Sequence, residues 1–369
     1  MTRLRPRAML PQLAAGLAAL LVACALAGCG TTYIQRSAGV PAELEPGEVP
    51  AAISAAQEDL LAGRTQRALD WMRAASATEG LPSDQRAEVQ RLLEVSADRF
   101  LGELDDESTP PEMLAEILDL ELPRQLAVTG AMRGVLRYIE EEEYKEAYDL
   151  IVRIDKRYPT HHLRPEAGRL LVEAGLALSE LPHPWFSSNR DYAYQALEYC
   201  SINYPLADRG DLVFRRLGEM YEEDKRWYIA ITRHEELTQN YPESPLVPYS
   251  LARIPHLLLA SIESPEYDRN ALLEARRNLE AWLRDFRGHE LTEQVRFDLA
   301  DALVRLTVSD LDIADFYDTV GNVPGTRFHA ARALQEAELA GHEGLAAKAR
   351  GMLDALPPEA TAPAGEAGS

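Results

Sequence analysis

Residues 211–244 read "DLVFRRLGEMYEEDKRWYIAITRHEELTQNYPES". Both halves space their apolar residues three and four apart, which is the helical period. The stretch then closes on Tyr241-Pro242, and the same ending closes "RIDKRYPTHH" (153–162) and "YCSINYPLAD" (199–208). Twelve residues before each proline stands an alanine: Ala147, Ala193 and Ala230. A fourth copy, "EARRNLEAWLRDFRG" (274–288), keeps its alanine at Ala275 but carries Phe286 for tyrosine and Arg287 for proline. A register held four times is a repeat, and it governs the reading of every residue inside it. Each proline stops a helix, because it cannot continue the ladder and restricts the residue before it. Each alanine marks a point where two helices cross too closely for a larger side chain.

Within residues 211–244 the order is Phe214-x2-Leu217-Gly218-x2-Tyr221, then Ala230-x3-His234, then Pro242. This resembles the tetratricopeptide pattern of Trp, Leu-Gly, Tyr, Ala, Phe and Pro in 34 residues. The resemblance implies an all-α tetratricopeptide (TPR) helix-hairpin solenoid of about five divergent repeats, and alternating strand patterns are few. His234 then fills the phenylalanine slot and is expected to pack between helices. A zincin helix would need a second ligand four residues on, where Thr238 stands. Cys200, five residues before Pro205, falls in a small-residue slot of its second helix and is read the same way.

The gaps between endings are 46, 37 and 45 residues. The connections "LPHPWFSS" (181–188) and "ESPEYDRN" (263–270) are expected to absorb the excess, and Pro255 is expected to kink its helix. "SDLDIADFYDTVGN" and "PGTRFHAARALQEAEL" read as one more helix pair, and "HEGLAAKARGMLDAL" as a terminal cap. The solenoid is thus assigned to 126–357, a helical region of undetermined fold to 51–125, and a disordered tail to 358–369.

The other histidines give no metal site on spacing. His161-His162 are adjacent in a loop, and His183, His256, His289, His329 and His342 are scattered. With 60 acidic residues, chance acid–base pairs are guaranteed, so no catalytic residue is assigned, and there is no phosphate loop or G-x-S-x-G elbow. Glu140–Glu143 reads as the solvated end of a helix. In TPR solenoids the first helix of each pair lines the groove, which makes Leu212, Arg215, Glu219, Glu222 and Glu223 the groove candidates. Such an acidic groove suits an extended basic or amphipathic segment of a partner. The net charge of −22 disfavours nucleic acid and anionic headgroups.

The chain opens with Arg3, Arg5 and Arg7, then an apolar run from Leu13 to Gly28. That is a signal-peptide layout, shorter than the about 20 residues a membrane span wants. Leu26-Ala27-Gly28-Cys29 resembles the lipobox of bacterial lipoproteins, in which the cysteine becomes the lipidated (palmitate-bearing) first residue. Leu21-Val22-Ala23-Cys24 is a competing match, and an ordinary secretory signal is the plain alternative. Cys29 is preferred because the apolar run ends at Gly28. Gly30 after it, rather than Asp, points to the outer membrane. Residues 29–50, short of large apolar side chains, read as a flexible tether of roughly 25 Å.

A lipobox, a tether and divergent TPR units with long inserts together resemble the BamD lipoproteins of the β-barrel assembly machine. The likeness is best from Gly134 to Leu356, including "DLDIADFYDTVGNVPGTRFHAARAL". It implies a periplasm-facing scaffold without cofactor, which holds a BamA-like barrel protein and receives unfolded outer-membrane protein substrates. Another TPR envelope lipoprotein, pilotin-like or an adaptor, is the competing assignment.

Overall fold

The computed structural model describes residues 32–182, 188–262 and 269–358. The expected signal segment with Cys24 and Cys29, His183, and most of both connections and of the tail lie outside them. Among the described residues there are α-helices and one short 3-10 turn, and no strand. The fold is an all-α stack of helix hairpins, divided into two compact units at Ala167 and Gly168.

The first unit contains α1 (Val49–Leu61), α2 (Thr65–Ser76), α3 (Ser83–Glu103), α4 (Pro111–Glu116), the 3-10 turn Ile117–Asp119, α5 (Arg124–Glu140) and α6 (Tyr144–Arg157). Its core joins Val49, Leu69, Met72, Leu92, Leu93, Phe100, Leu101 and Ile117. The next helix, α7 (Arg164–Glu180), opens at the end of this unit and continues into the second.

Residues 33–48 depart from the expected tether. They are laid along the first unit, with Ile34 and Val40 buried and Leu44 packed on the core. The Glu116 carboxylate accepts both the Tyr33 and Ile34 N–H groups at 2.8 Å, and Asp70 accepts the Ser37 N–H at 2.7 Å. Two carboxylates brought close by the fold thus satisfy three backbone N–H groups of a segment with few apolar residues.

The second unit adds α8 (Asn189–Asn203), α9 (Gly210–Glu223), α10 (Trp227–Asn240), α11 (Val247–Ser261), α12 (Arg269–Asp285), α13 (Thr292–Thr319), α14 (Val323–Leu339) and the cap α15 (Glu343–Ala355). From α9 onward each helix packs on the next in sequence. Counted from α5, the pairs number five, so the repeat expectation holds. Pro255 does lie inside α11.

Two turns recur among the described residues. After α1, α5, α9, α13 and α14 comes a Schellman turn: a residue of positive φ precedes an N–H that reaches back five residues. The bonds are Arg64 N–H to Asp59 O, Glu143 to Tyr138, Arg226 to Tyr221, Asn322 to Tyr317 and His342 to Ala337. The positive-φ residue is Gly63, Gly321 or Gly341 in three of these, but Glu142 (φ 60°) and Lys225 (φ 56°) in the other two.

Between pairs comes the Tyr-Pro turn. Tyr158, Tyr204 and Tyr241 share φ near −130° and ψ of 49–68°, and each N–H bonds the carbonyl four residues back. Three residues later the chain bonds back to the tyrosine carbonyl, through the N–H groups of His161, Ala207 and Ser244. Phe286-Arg287 makes the same pattern, with Phe286 bonded to Trp282 and His289 to Phe286. The turn therefore does not need its proline; the aromatic residue before it is the constant part. Tyr241 shows why: its ring lies over Gly210 and its hydroxyl donates to the Ala207 carbonyl at 2.8 Å, tying one turn to the one before it.

Candidate binding surfaces

The α9–α10 pair is closed by the residues expected to pack there. Phe214, Leu217, Gly218, Tyr221, Ala230 and His234 are buried, and Pro242 follows the cap tyrosine. Gly218 is where the hairpin closes. A Cβ placed there would meet His234 Nε2 at 2.7 Å and two further ring carbons within 3.1 Å. Gly175 likewise faces Leu197 of its own second helix, and Gly134 is wedged between Leu114 of α4 and Leu150 of α6.

His234 is fully buried, with its Nδ1 3.2 Å from the Ser250 hydroxyl and its ring edge-on to Tyr249. Its Nε2 has no partner. Burial, reinforced by Arg253 and Arg215, pushes its pKa down to about 3, so it is a neutral packing group. Cys200 is likewise buried, and burial pushes its thiol up to about 12.

Of the remaining described histidines, all but His162 make a contact within the scaffold. His161 is buried against Asp155 at 3.2 Å, while its neighbour His162 points to solvent. His256 meets Asp298 at 3.0 Å, and His329 meets Asp310 at 2.7 Å. His289 and His342 accept backbone N–H groups at helix starts. Among the described residues no three His, Cys, Asp or Glu converge as a metal site. Glu140 ends α5 and Glu141–Glu143 form its turn, as the charge run suggested.

The groove candidates lie on α9, half-buried except for the exposed Glu223. They do not form an open acidic strip. Glu219 pairs with Arg215 at 3.3 Å and Arg216 at 3.6 Å, and accepts from the Tyr249 hydroxyl. Glu222 pairs with Arg253 of α11. Glu223 pairs with Arg190 of α8 at 2.9 Å and with Arg216 at 3.3 Å. The acids bind neighbouring helices to α9, which leaves little unbalanced charge for a basic partner. The Arg215 and Arg216 pairs are local to α9, but Arg190 and Arg253 lie 33 and 31 residues from their acids, beyond what helical spacing shows.

A different surface stands out on the last full hairpin. Phe316 and Val320 at the end of α13 and Phe328 at the start of α14 are each about 60% exposed. Phe316 and Phe328 belong to a connected aromatic edge in which Phe316 meets Tyr317, Tyr317 stacks on His329, and Phe328 meets His329. The Arg332 guanidinium lies over the Phe328 ring. Beside them is a cleft of about 640 Å³ lined by Pro324, Arg327, Phe328, Arg332 and Gln335. The sequence did carry a signal for this edge. The buried stripe of α13 runs Val295, Asp298, Ala302, Leu306, Asp310, Ala314, and Phe297, Phe316 and Val320 fall off it.

Beneath that edge lies a buried charged group. Asp310 is fully buried between Arg269 (2.7 Å), Arg332 (3.3 Å) and His329, and the nearly buried Glu336 lies 3.4 Å from Arg276. Burial, with the Asp310 charge added, raises the Glu336 carboxyl to about 7, against the pull of Arg332, Arg269 and Arg276.

No protein-family profile matches the chain, and no curated protein matches it. Among solved structures, a "circular tandem repeat protein with novel repeat topology and enhanced subunit contact surfaces" aligns with 83% of this chain and 75% of its own. The identity is 13% and the TM-score 0.14, so the repeat assignment rests on the turns and packing positions above.

Proposed function

We propose that this chain is a non-catalytic scaffold anchored through Cys29 to the periplasmic face of the outer membrane. There its TPR hairpins hold a BamA-like assembly protein and receive unfolded β-barrel substrates, the role of the BamD lipoproteins. The observation that supports a binding role is the exposed aromatic edge of Phe316, Val320 and Phe328 beside its cleft. Folded chains seldom leave such contiguous apolar groups in water without a partner to cover them. The sequence supports the anchor and the family likeness, through "LAGC" and the insert-bearing repeats.

The test is purification of the lipidated full chain from membranes in mild detergent, with identification of what accompanies it. Recovery of a barrel protein with N-terminal periplasmic domains, cut at least about tenfold by Phe316→Ser with Phe328→Ser, fits the proposal; aromatic anchors typically carry about 2 kcal/mol or more. Recovery of a secretin or pilus component instead would favour the pilotin-like assignment. A Cys29→Ser chain that still takes up palmitate and still floats with outer-membrane vesicles would show that Cys29 is not the anchor.

A further inference from the structure

The docked segment 33–48 changes what the anchor does. Its first fixed point is Tyr33, whose N–H is held by Glu116 Oε1 while Oε2 holds the N–H of Ile34. A bidentate carboxylate on two successive backbone donors is a charge-assisted clamp. Further along, Ile34 and Val40 are buried, the Gln66 amide donates to Gln35 O, and the Thr78 hydroxyl donates to Leu44 O. The chain therefore gains no slack between Tyr33 and Val49. Only Gly30, Thr31 and Thr32 separate Tyr33 from Cys29. At roughly 3.3–3.6 Å per residue the reach from Cys29 to Tyr33 is at most about 14 Å.

Resting on the reading of Cys29 as the lipid anchor, we propose that the segment is a short stem that seats the first unit against the lipid surface. The end bearing α4 and the Glu116 clamp faces the bilayer. Exposed Glu112, one turn from Glu116, and half-exposed Tyr33 then lie at the headgroup level. Seating comes from the stem and not from charge, since the exposed Glu112 and Glu121 give this end no attraction for anionic headgroups.

The experiment uses the lipidated full chain in vesicles of phosphatidylethanolamine and phosphatidylglycerol containing a nitroxide-headgroup lipid. A fluorophore is placed on the Glu112→Cys chain; the buried Cys200 thiol does not compete. The expected result is strong nitroxide quenching, falling at least about twofold when ten Gly/Ser residues are inserted between Thr32 and Tyr33, since a flexible link spreads by about 5–6 Å times the square root of its length. Glu116→Ala should weaken quenching in the same direction by freeing the clamp, and the insertion covers the case in which that variant folds poorly. Palmitate on Cys29 with equal quenching in wild type and insertion overturns the stem alone. Absence of palmitate from Cys29 overturns the anchor and the stem together.

Discussion

Substituting Gly218 by alanine separates two effects that the same change produces elsewhere in the chain. In an exposed helix, Gly→Ala gains about 0.5–1 kcal/mol from restricted backbone freedom. Gly351 in α15 has nothing within 4 Å of a new Cβ, so Gly351→Ala should show that gain unopposed. At Gly218 the new methyl meets three atoms of the His234 ring between 2.7 and 3.1 Å. The ring has little room to retreat, because it is fully buried, edge-on to Tyr249 and bonded to Ser250. Overpacking of this kind costs about 1–3 kcal/mol, so after the helix gain Gly218→Ala should destabilise by about 1–2 kcal/mol. His234→Ala alone should cost about 2–4 kcal/mol through the cavity it leaves. Added to Gly218→Ala it should cost less than the sum by about 1 kcal/mol or more, since each removes the other's conflict. The measurements are denaturant midpoints together with hydrogen exchange in α9 and α10, because repeat arrays open locally. A Gly218→Ala chain as stable as Gly351→Ala would refute the wedge.

Other outcomes follow from the same geometry. Lys225→Gly and Glu142→Gly remove side chains from positive-φ turns and should each stabilise by about 1 kcal/mol, read as a raised denaturation midpoint. His234 has a depressed folded pKa, so the unfolded chain binds its proton first; stability should fall as pH drops from 6.5 towards 3, by up to about 1.4 kcal/mol per unit, and His234→Leu should flatten that slope. Glu336 is the opposite case: its raised folded pKa gives stability that is full below 4.5 and is lost as pH rises through about 7. Glu336→Gln should therefore gain stability relative to wild type between pH 5 and 8, measured by paired melts. Tyr241→Phe keeps the ring over Gly210 but removes the bond to Ala207, and should lower stability by about 1 kcal/mol while leaving the turn intact by hydrogen exchange.

The repeat was legible because its signals are local. The Tyr-Pro endings, the alanines twelve residues earlier and the Gly218–His234 spacing all express contacts within one hairpin or to the next turn. Phe286 shows the limit of the motif: with proline lost the turn persists, because the aromatic cap and its backbone bonds define it. Segment 33–48 was misread for a complementary reason. Its composition is that of a linker, and the groups that fix it, Asp70 and Glu116, lie 33 and more than 80 residues away. No window on the sequence can see such a clamp.

The same distance separates charge composition from charge available for binding. The acids Glu219, Glu222 and Glu223 fall where a groove should be, and their helical spacing made a negative strip the natural expectation. In the folded chain each faces an arginine, on α8, on α9 itself or on α11, so their Coulombic work is spent on holding hairpin to hairpin. Exposed pairs of this kind contribute roughly 0–1 kcal/mol apiece to stability. Their larger effect is on recognition, because a basic segment would have to displace an arginine already in place at each acid. At the aromatic edge Arg332 lies over the Phe328 ring, yet Phe316, Val320 and Phe328 each remain about 60% exposed. In the proposed scaffold role, binding energy should concentrate on the last hairpin, with the charged face of α9 joining neighbouring helices and not setting affinity for a partner.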